Sequence, residues 1–205
     1  MKNKPIHYLA LGDSYTIGEA VPSEQNFPNQ LYRLANEKGI EMVKPRIIAV
    51  TGWTTDELVK GIEVANEAEP ISNDHELVSL LIGVNNQYRG RSVEEYKIEF
   101  SQLLQQALGF AGGNKKNLVV LSIPDWGVTP FAEGRDRQQI AREIDAYNNA
   151  AEGIARDEGI HYIYITEWTR EAAHVPALLA PDGLHPSGQE YERWSREILS
   201  WLKKN

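Results

Sequence analysis

The chain has 205 residues, 41% hydrophobic and 24% charged, with a formal net charge of −8 and no cysteine. That length and balance suit one globular domain spanning 1–205. The acidic surplus makes a poor counterion for phosphate and argues against a nucleic-acid partner. The missing cysteines remove disulfides, thiolate catalysis and cysteine-bound metals.

In chain order, the opening stretch MKNKPIHYLALGDSY is basic but has no apolar run of signal-peptide length. No later stretch approaches the roughly 18 apolar residues of a membrane span. The expectation is a soluble cytoplasmic protein. The first strand-length run, 6–11 IHYLAL, stops abruptly at Gly12-Asp13-Ser14, and Gly18 follows one turn later. A helix ending near Gly39 leads to the second run, 46–50 RIIAV, and on to Gly52. Thr54-Thr55-Asp56-Glu57 then fits a capping box, in which hydroxyl and carboxylate satisfy free backbone N–H groups reciprocally. The third run, 77–82 LVSLLI, opens into GVNNQYRG, and Ser92 to Glu95 fits a second box. Its helix ends at Gly112-Gly113. Lys115-Lys116 sits in a Gly/Asn-rich turn and reads as solvated. The fourth run, 118–123 LVVLSI, leads into PDWGVTP. The charged segment 136–158 carries Ile140, Ile144, Tyr147, Ala151 and Ile154 at helical spacing and stops at Gly159. The fifth run, 160–165 IHYIYI, precedes a short helix and the loop APDGLHPSG. Ser187 to Glu190 fits a third box. It opens a last helix whose Tyr191, Trp194, Ile198 and Leu202 form one apolar face.

Alternating strands and helices predict an α/β fold with a parallel sheet covered on both faces. Near-continuous hydrophobicity in the central runs agrees, because such strands are buried above and below. Right-handed crossovers make this a doubly wound, three-layer α/β/α sandwich with a five-stranded parallel sheet. Sites in such folds lie at the carboxyl ends of the strands.

Residues of chemical interest fall at those ends. Ser14 follows the first run, Gly52 the second, and Asn85 and Asn86 the third. Asp182 and His185 lie in the last loop. Each has a plain alternative as a turn or cap residue, since Gly, Asp, Asn and Ser turn chains for their own reasons. Among the five histidines, His7 and His161 read as packed in the sheet, His75 as a solvated loop residue, and His174 as lacking a partner. His185 differs, because Asp182 three positions earlier can reach its imidazole Nδ1–H. Together these residues supply what acyl transfer needs: a nucleophile, a base, an orienting acid and donors for negative charge. GDSYT is not G-x-S-x-G, so the α/β-hydrolase elbow is not supported.

The set resembles the GDSL, or SGNH, hydrolase family. The resemblance rests on Gly12-Asp13-Ser14 with Gly18, on Gly52, on Gly83-Val84-Asn85-Asn86 and on Asp182-Gly183-Leu184-His185, in the family's order and spanning nearly the whole chain. It implies a flavodoxin-like fold. It further implies Ser14 as nucleophile, His185 as base, Asp182 as its acid, and an oxyanion hole from the N–H groups of Ser14 and Gly52 with the Asn85 amide. Two positions depart from the family pattern: Asn86 stands where an aspartate is usual, and Tyr15 where leucine gives the family its name. No cofactor or metal is implied, and the sequence has no H-E-x-x-H, P-loop or G-x-G-x-x-G.

The expected function is hydrolysis of a carboxylic ester of a small molecule or lipid, as an esterase or a lysophospholipase- or thioesterase-like acylhydrolase. An acetylesterase acting on carbohydrate or small-molecule acetyl esters is one alternative. A non-catalytic flavodoxin-like binding module is another, although the first loop lacks a phosphate fingerprint and carries Asp13 instead. Tyr15, Trp53, Trp126 and Trp168 are candidates to line the substrate site.

Overall fold

The five apolar runs pair into one sheet: β1 (Tyr8–Gly12), β2 (Arg46–Ala49), β3 (Leu77–Leu81), β4 (Leu118–Leu121) and β5 (His161–Ile163). The computed structural model describes residues 4–204. The first three residues of the stretch read for a signal peptide, and Asn205, lie outside them. The strand order is β2-β1-β3-β4-β5, parallel throughout. Every residue of β1, β3 and β4 is buried, which is why these runs carry almost no polar side chains.

The helices are α1 (Ser14–Ile17), α2 (Phe27–Glu37), α3 (Thr55–Ala68), α4 (Val84–Tyr88), α5 (Val93–Phe110), α6 (Arg137–Asp157), α7 (Thr166–Arg170) and α8 (Gly188–Leu202). Helix α2 packs on α8, while α5 packs on both α3 and α6. Those groups are the two outer layers around the sheet. After β1 the chain moves to one side to make β2, then returns past β1 to make β3. The connections therefore diverge at the carboxyl ends of β1 and β3, and a crevice opens there.

Local chemistry differs from the sequence reading in places. The box at Thr54 and Glu57 closes on both sides. At Ser187 only the serine half forms, because Glu190 is drawn inward to the Trp194 indole N–H at 2.8 Å and to Arg193. Ser92 likewise accepts from the Glu95 N–H. His7 and His161 are not packed in the sheet. His7 is exposed beside Glu76, and His161, on the edge strand β5, stacks on Trp201 with ring centroids 5.3 Å apart. His75 is the reverse case. It is buried rather than solvated, with its backbone N–H donating to the Phe110 carbonyl.

Candidate active site

Strand β1 ends on Gly12 because nothing larger fits. A Cβ there would lie 2.5 Å from the Leu81 carbonyl oxygen of the neighbouring strand and would strike the Thr16 side chain. Asp13 then caps α1, its carboxylate accepting the Tyr15 N–H at 3.0 Å. Ser14 is the first residue of α1, so its own N–H has no helical partner, and none is found elsewhere among the described residues.

From the far end of the chain comes the loop before α8. Asp182 Oδ1 accepts the N–H groups of Leu184 and His185, each at 3.0 Å, which folds the loop into a tight turn. The other oxygen, Oδ2, meets His185 Nδ1 at 2.6 Å, and His185 Nε2 meets Ser14 Oγ at 3.0 Å. Ser14 and His185 are both buried. Burial pushes the Asp182 carboxyl up, but the hydrogen bonds from the His185 ring and the two backbone N–H groups outweigh it and hold it below the ordinary carboxylate range. The Tyr15 ring flanks the imidazole at 5.0 Å between centroids.

Gly52 sits in the turn Val50 to Trp53, closed by Trp53 N–H to Val50 C=O at 3.3 Å. Its φ of +84° is the third-position geometry of a type II turn, which favours glycine. The Gly52 N–H, like that of Ser14, has no partner among the described residues. Unclaimed donors are rare among buried backbone groups, and the Ser14 N–H is one. Asn85 and Asn86 form the first turn of α4, not a loop turn. The Asn85 amide donates to the Trp53 carbonyl at 3.0 Å and, at a longer 3.3 Å, to Asp13 Oδ2. Asp13 is completely buried, which raises its carboxyl to about 7 against the hydrogen bonds from Tyr15 and Asn85. Asn86 is turned away into the protein, accepting the Thr55 N–H and donating to the Thr55 hydroxyl and to Glu99.

Ser14, Gly52, Asn85 and His185 share one cleft of about 160 Å³, walled by Tyr15, Tyr88, Trp126, Phe131 and Leu184. The Trp126 indole is fixed by Gln87 at 2.8 Å. Of the aromatic candidates, Tyr15 and Trp126 line this cleft. Trp53 does not; its ring covers Gly61 of α3. Nor does Trp168, which lies under the Arg193 guanidinium. Tyr88 and Phe131 were not legible as lining residues. Tyr88 reaches the cleft only because residues 84–88 are helical, and Phe131 only because the chain after β4 doubles back over the site. Among the described residues no three His, Cys, Asp or Glu side chains gather as a metal site would require. No helix there is long and apolar enough to cross a membrane.

The GDSL-like lipase/acylhydrolase family matches residues 10–193. The chain belongs to this family. With membership comes the reaction class, hydrolysis of a carboxylic ester by a serine hydrolase, and the non-catalytic binding module is not favoured. No curated protein matches the sequence. Solved structures of similar fold include the psychrotrophic esterase EstA from Pseudoalteromonas sp., 16% identical over 97% of each chain with a TM-score of 0.70. A lipase/acylhydrolase from Enterococcus faecalis is 20% identical over 97% of this chain and 96% of that one, with a TM-score of 0.71. The acetylxylan esterase Axe2 from Geobacillus stearothermophilus, in its W215I form, is 18% identical over 98% and 97%, with a TM-score of 0.73. At these identities the likeness is one of fold: the GDSL hydrolase architecture is shared across the full length.

Proposed function

We propose that this GDSL hydrolase cleaves esters of short acyl groups through an acyl-enzyme on Ser14. The observation that carries the reading is the continuous relay Ser14 Oγ–His185 Nε2–His185 Nδ1–Asp182 Oδ2, with steps of 3.0 and 2.6 Å between side chains. His185 takes the Ser14 proton as Oγ attacks the ester carbonyl, and Asp182 holds the ring in the required tautomer and stabilises the imidazolium. The negative oxygen so formed meets the unclaimed N–H groups of Ser14 and Gly52. The Asn85 amide joins them by giving up its longer bond to Asp13. The alcohol leaves with the proton from His185. Water, activated by the same imidazole, then attacks the acyl-enzyme and restores Ser14.

The cleft supports the short acyl group. About 160 Å³ is the size of a cavity that holds benzene, so it takes roughly six non-hydrogen atoms, and a long acyl chain would have to run out over Tyr88 and Phe131. This favours an esterase or acetylesterase over a lysophospholipase- or thioesterase-like enzyme. A cytoplasmic location is carried as part of the proposal, with cell fractionation as its check. The central test is a series of p-nitrophenyl esters from acetate to palmitate. The expected optimum lies at two to four carbons (about the cleft's capacity), and Ser14→Ala should abolish turnover while leaving the thermal transition in place. A Ser14→Ala variant as fast as the parent would sink the assignment, and an optimum at long chains would sink the short-acyl reading.

A further inference from the structure

The two oxyanion donors beyond Ser14 come from different connections, a turn and a short helix. Gly52 follows β2 and Asn85 follows β3, so something must hold them at a fixed separation. The backbone of residues 52–55 is pinned by side chains at four consecutive positions. The Gly52 carbonyl accepts from Arg89 Nη2 at 2.6 Å, and the Trp53 carbonyl accepts from Asn85 Nδ2 at 3.0 Å. The Thr54 N–H donates to Glu57 Oε2 at 2.9 Å, and the Thr55 N–H donates to Asn86 Oδ1 at 3.1 Å. Asn85 and Asn86 lie on α4 and Arg89 is its C-terminal cap, so three of the four pins come from one short helix. Glu57 ties the set together, because its second oxygen accepts Arg89 Nη1 at 3.0 Å while its first caps α3.

We infer that Arg89 is a positioning residue for the oxyanion hole. It bolts the Gly52 turn to the helix that carries Asn85, so that both donors move as one body. Asn85 and Arg89 are one helical turn apart, and the guanidinium fork reaches the Gly52 carbonyl and the Glu57 carboxylate at once, as a planar group with fixed donor directions does. Arg89 is exposed and touches neither the nucleophile nor the cleft, whose lining it does not share. Its effect on the cleft therefore runs through the Gly52 turn, held directly at the Gly52 carbonyl and indirectly through Glu57. The inference rests on the esterase reading for its kinetic half and on geometry for its structural half.

The test compares Arg89→Met and Arg89→Lys with the parent. With p-nitrophenyl acetate, Arg89→Met should lower kcat by about 10- to 100-fold, the scale set by a misplaced donor, with KM changed less than about twofold, since substrate binding gains little from that donor before charge develops. Arg89→Lys, which keeps one donor but not the fork, should recover part of the loss. Amide hydrogen exchange supplies a readout that needs no turnover. In Arg89→Met the Trp53 amide, which closes the Gly52 turn on the Val50 carbonyl, should exchange at least about 10-fold faster while the amides of β1 and β3 keep the parent's rates. Unchanged exchange at Trp53, an unchanged kcat, or a loss lying wholly in KM overturns the inference. If the parent cleaves no ester, or Ser14→Ala cleaves it as well, the esterase reading has failed. The exchange result then still decides whether Arg89 holds the turn.

Discussion

Among the carboxyl groups, Asp13 departs furthest from the behaviour of the free amino acid. Its carboxyl is raised from 3.8 to about 7 by complete burial. Between those values the unfolded chain releases a proton that the folded chain keeps, so stability falls as pH rises across that window and levels above it. Asp182 works in the opposite sense: with its carboxyl held low, its contribution is present at neutral pH and is lost only as the solution turns strongly acid. Between pH 5 and 8 Asp13 should therefore dominate, and Asp13→Asn should show a smaller drop in melting temperature across that range than the parent. An equal drop in both would show that Asp13 does not titrate in the folded protein. Asn85→Ala removes a proposed oxyanion donor and should cost on the order of 100- to 1000-fold in kcat, measured on a short-chain ester.

Elements differ in how far the sequence exposed them. The five strands were legible because burial on both faces leaves runs such as LVVLSI with few polar side chains. Helices α5, α6 and α8 were legible from their apolar stripes and caps. Short helices were not: α1 and α4 run four and five residues, too few for a periodic stripe, and Asn85-Asn86 reads equally well as a turn. Of the proposed site, Ser14, Gly52, Asn85, Asp182 and His185 could be picked out by type and position. The pins on residues 52–55 could not, because nothing in the spacing of Arg89 and Gly52 says that a guanidinium will meet a carbonyl. The end of β1 offers a test at this scale. Gly12→Ala would drive a Cβ to 2.5 Å from the Leu81 carbonyl, a backbone atom that cannot swing aside. The expected cost is about 3 kcal/mol or more, a fall in melting temperature of roughly 6–12 °C in a calorimetric scan. A change of under one degree would mean that the two strands part more easily than the packing implies.

At the scale of the whole molecule, the divergence of connections around β1 and β3 explains why the site lies where it does. Helix α8 completes one outer layer by packing against α2, and the loop just before it brings Asp182 and His185 to Ser14. The partners in that final hydrogen bond are 171 residues apart in the chain. Catalytic competence on the ribosome consequently waits until the segment carrying Asp182, His185 and α8 has been made. A nascent chain stalled before residue 180 carries Ser14, the Gly52 turn and Asn85, and should be silent toward any ester. In refolding from denaturant, regain of activity should follow the slowest phase in which α8 docks, since long-range closure of this kind is kinetically costly. Intrinsic fluorescence, to which α8 contributes Trp194 and Trp201 of the five tryptophans, should change with the same time constant. Such a chain carries its own reporter of finished folding.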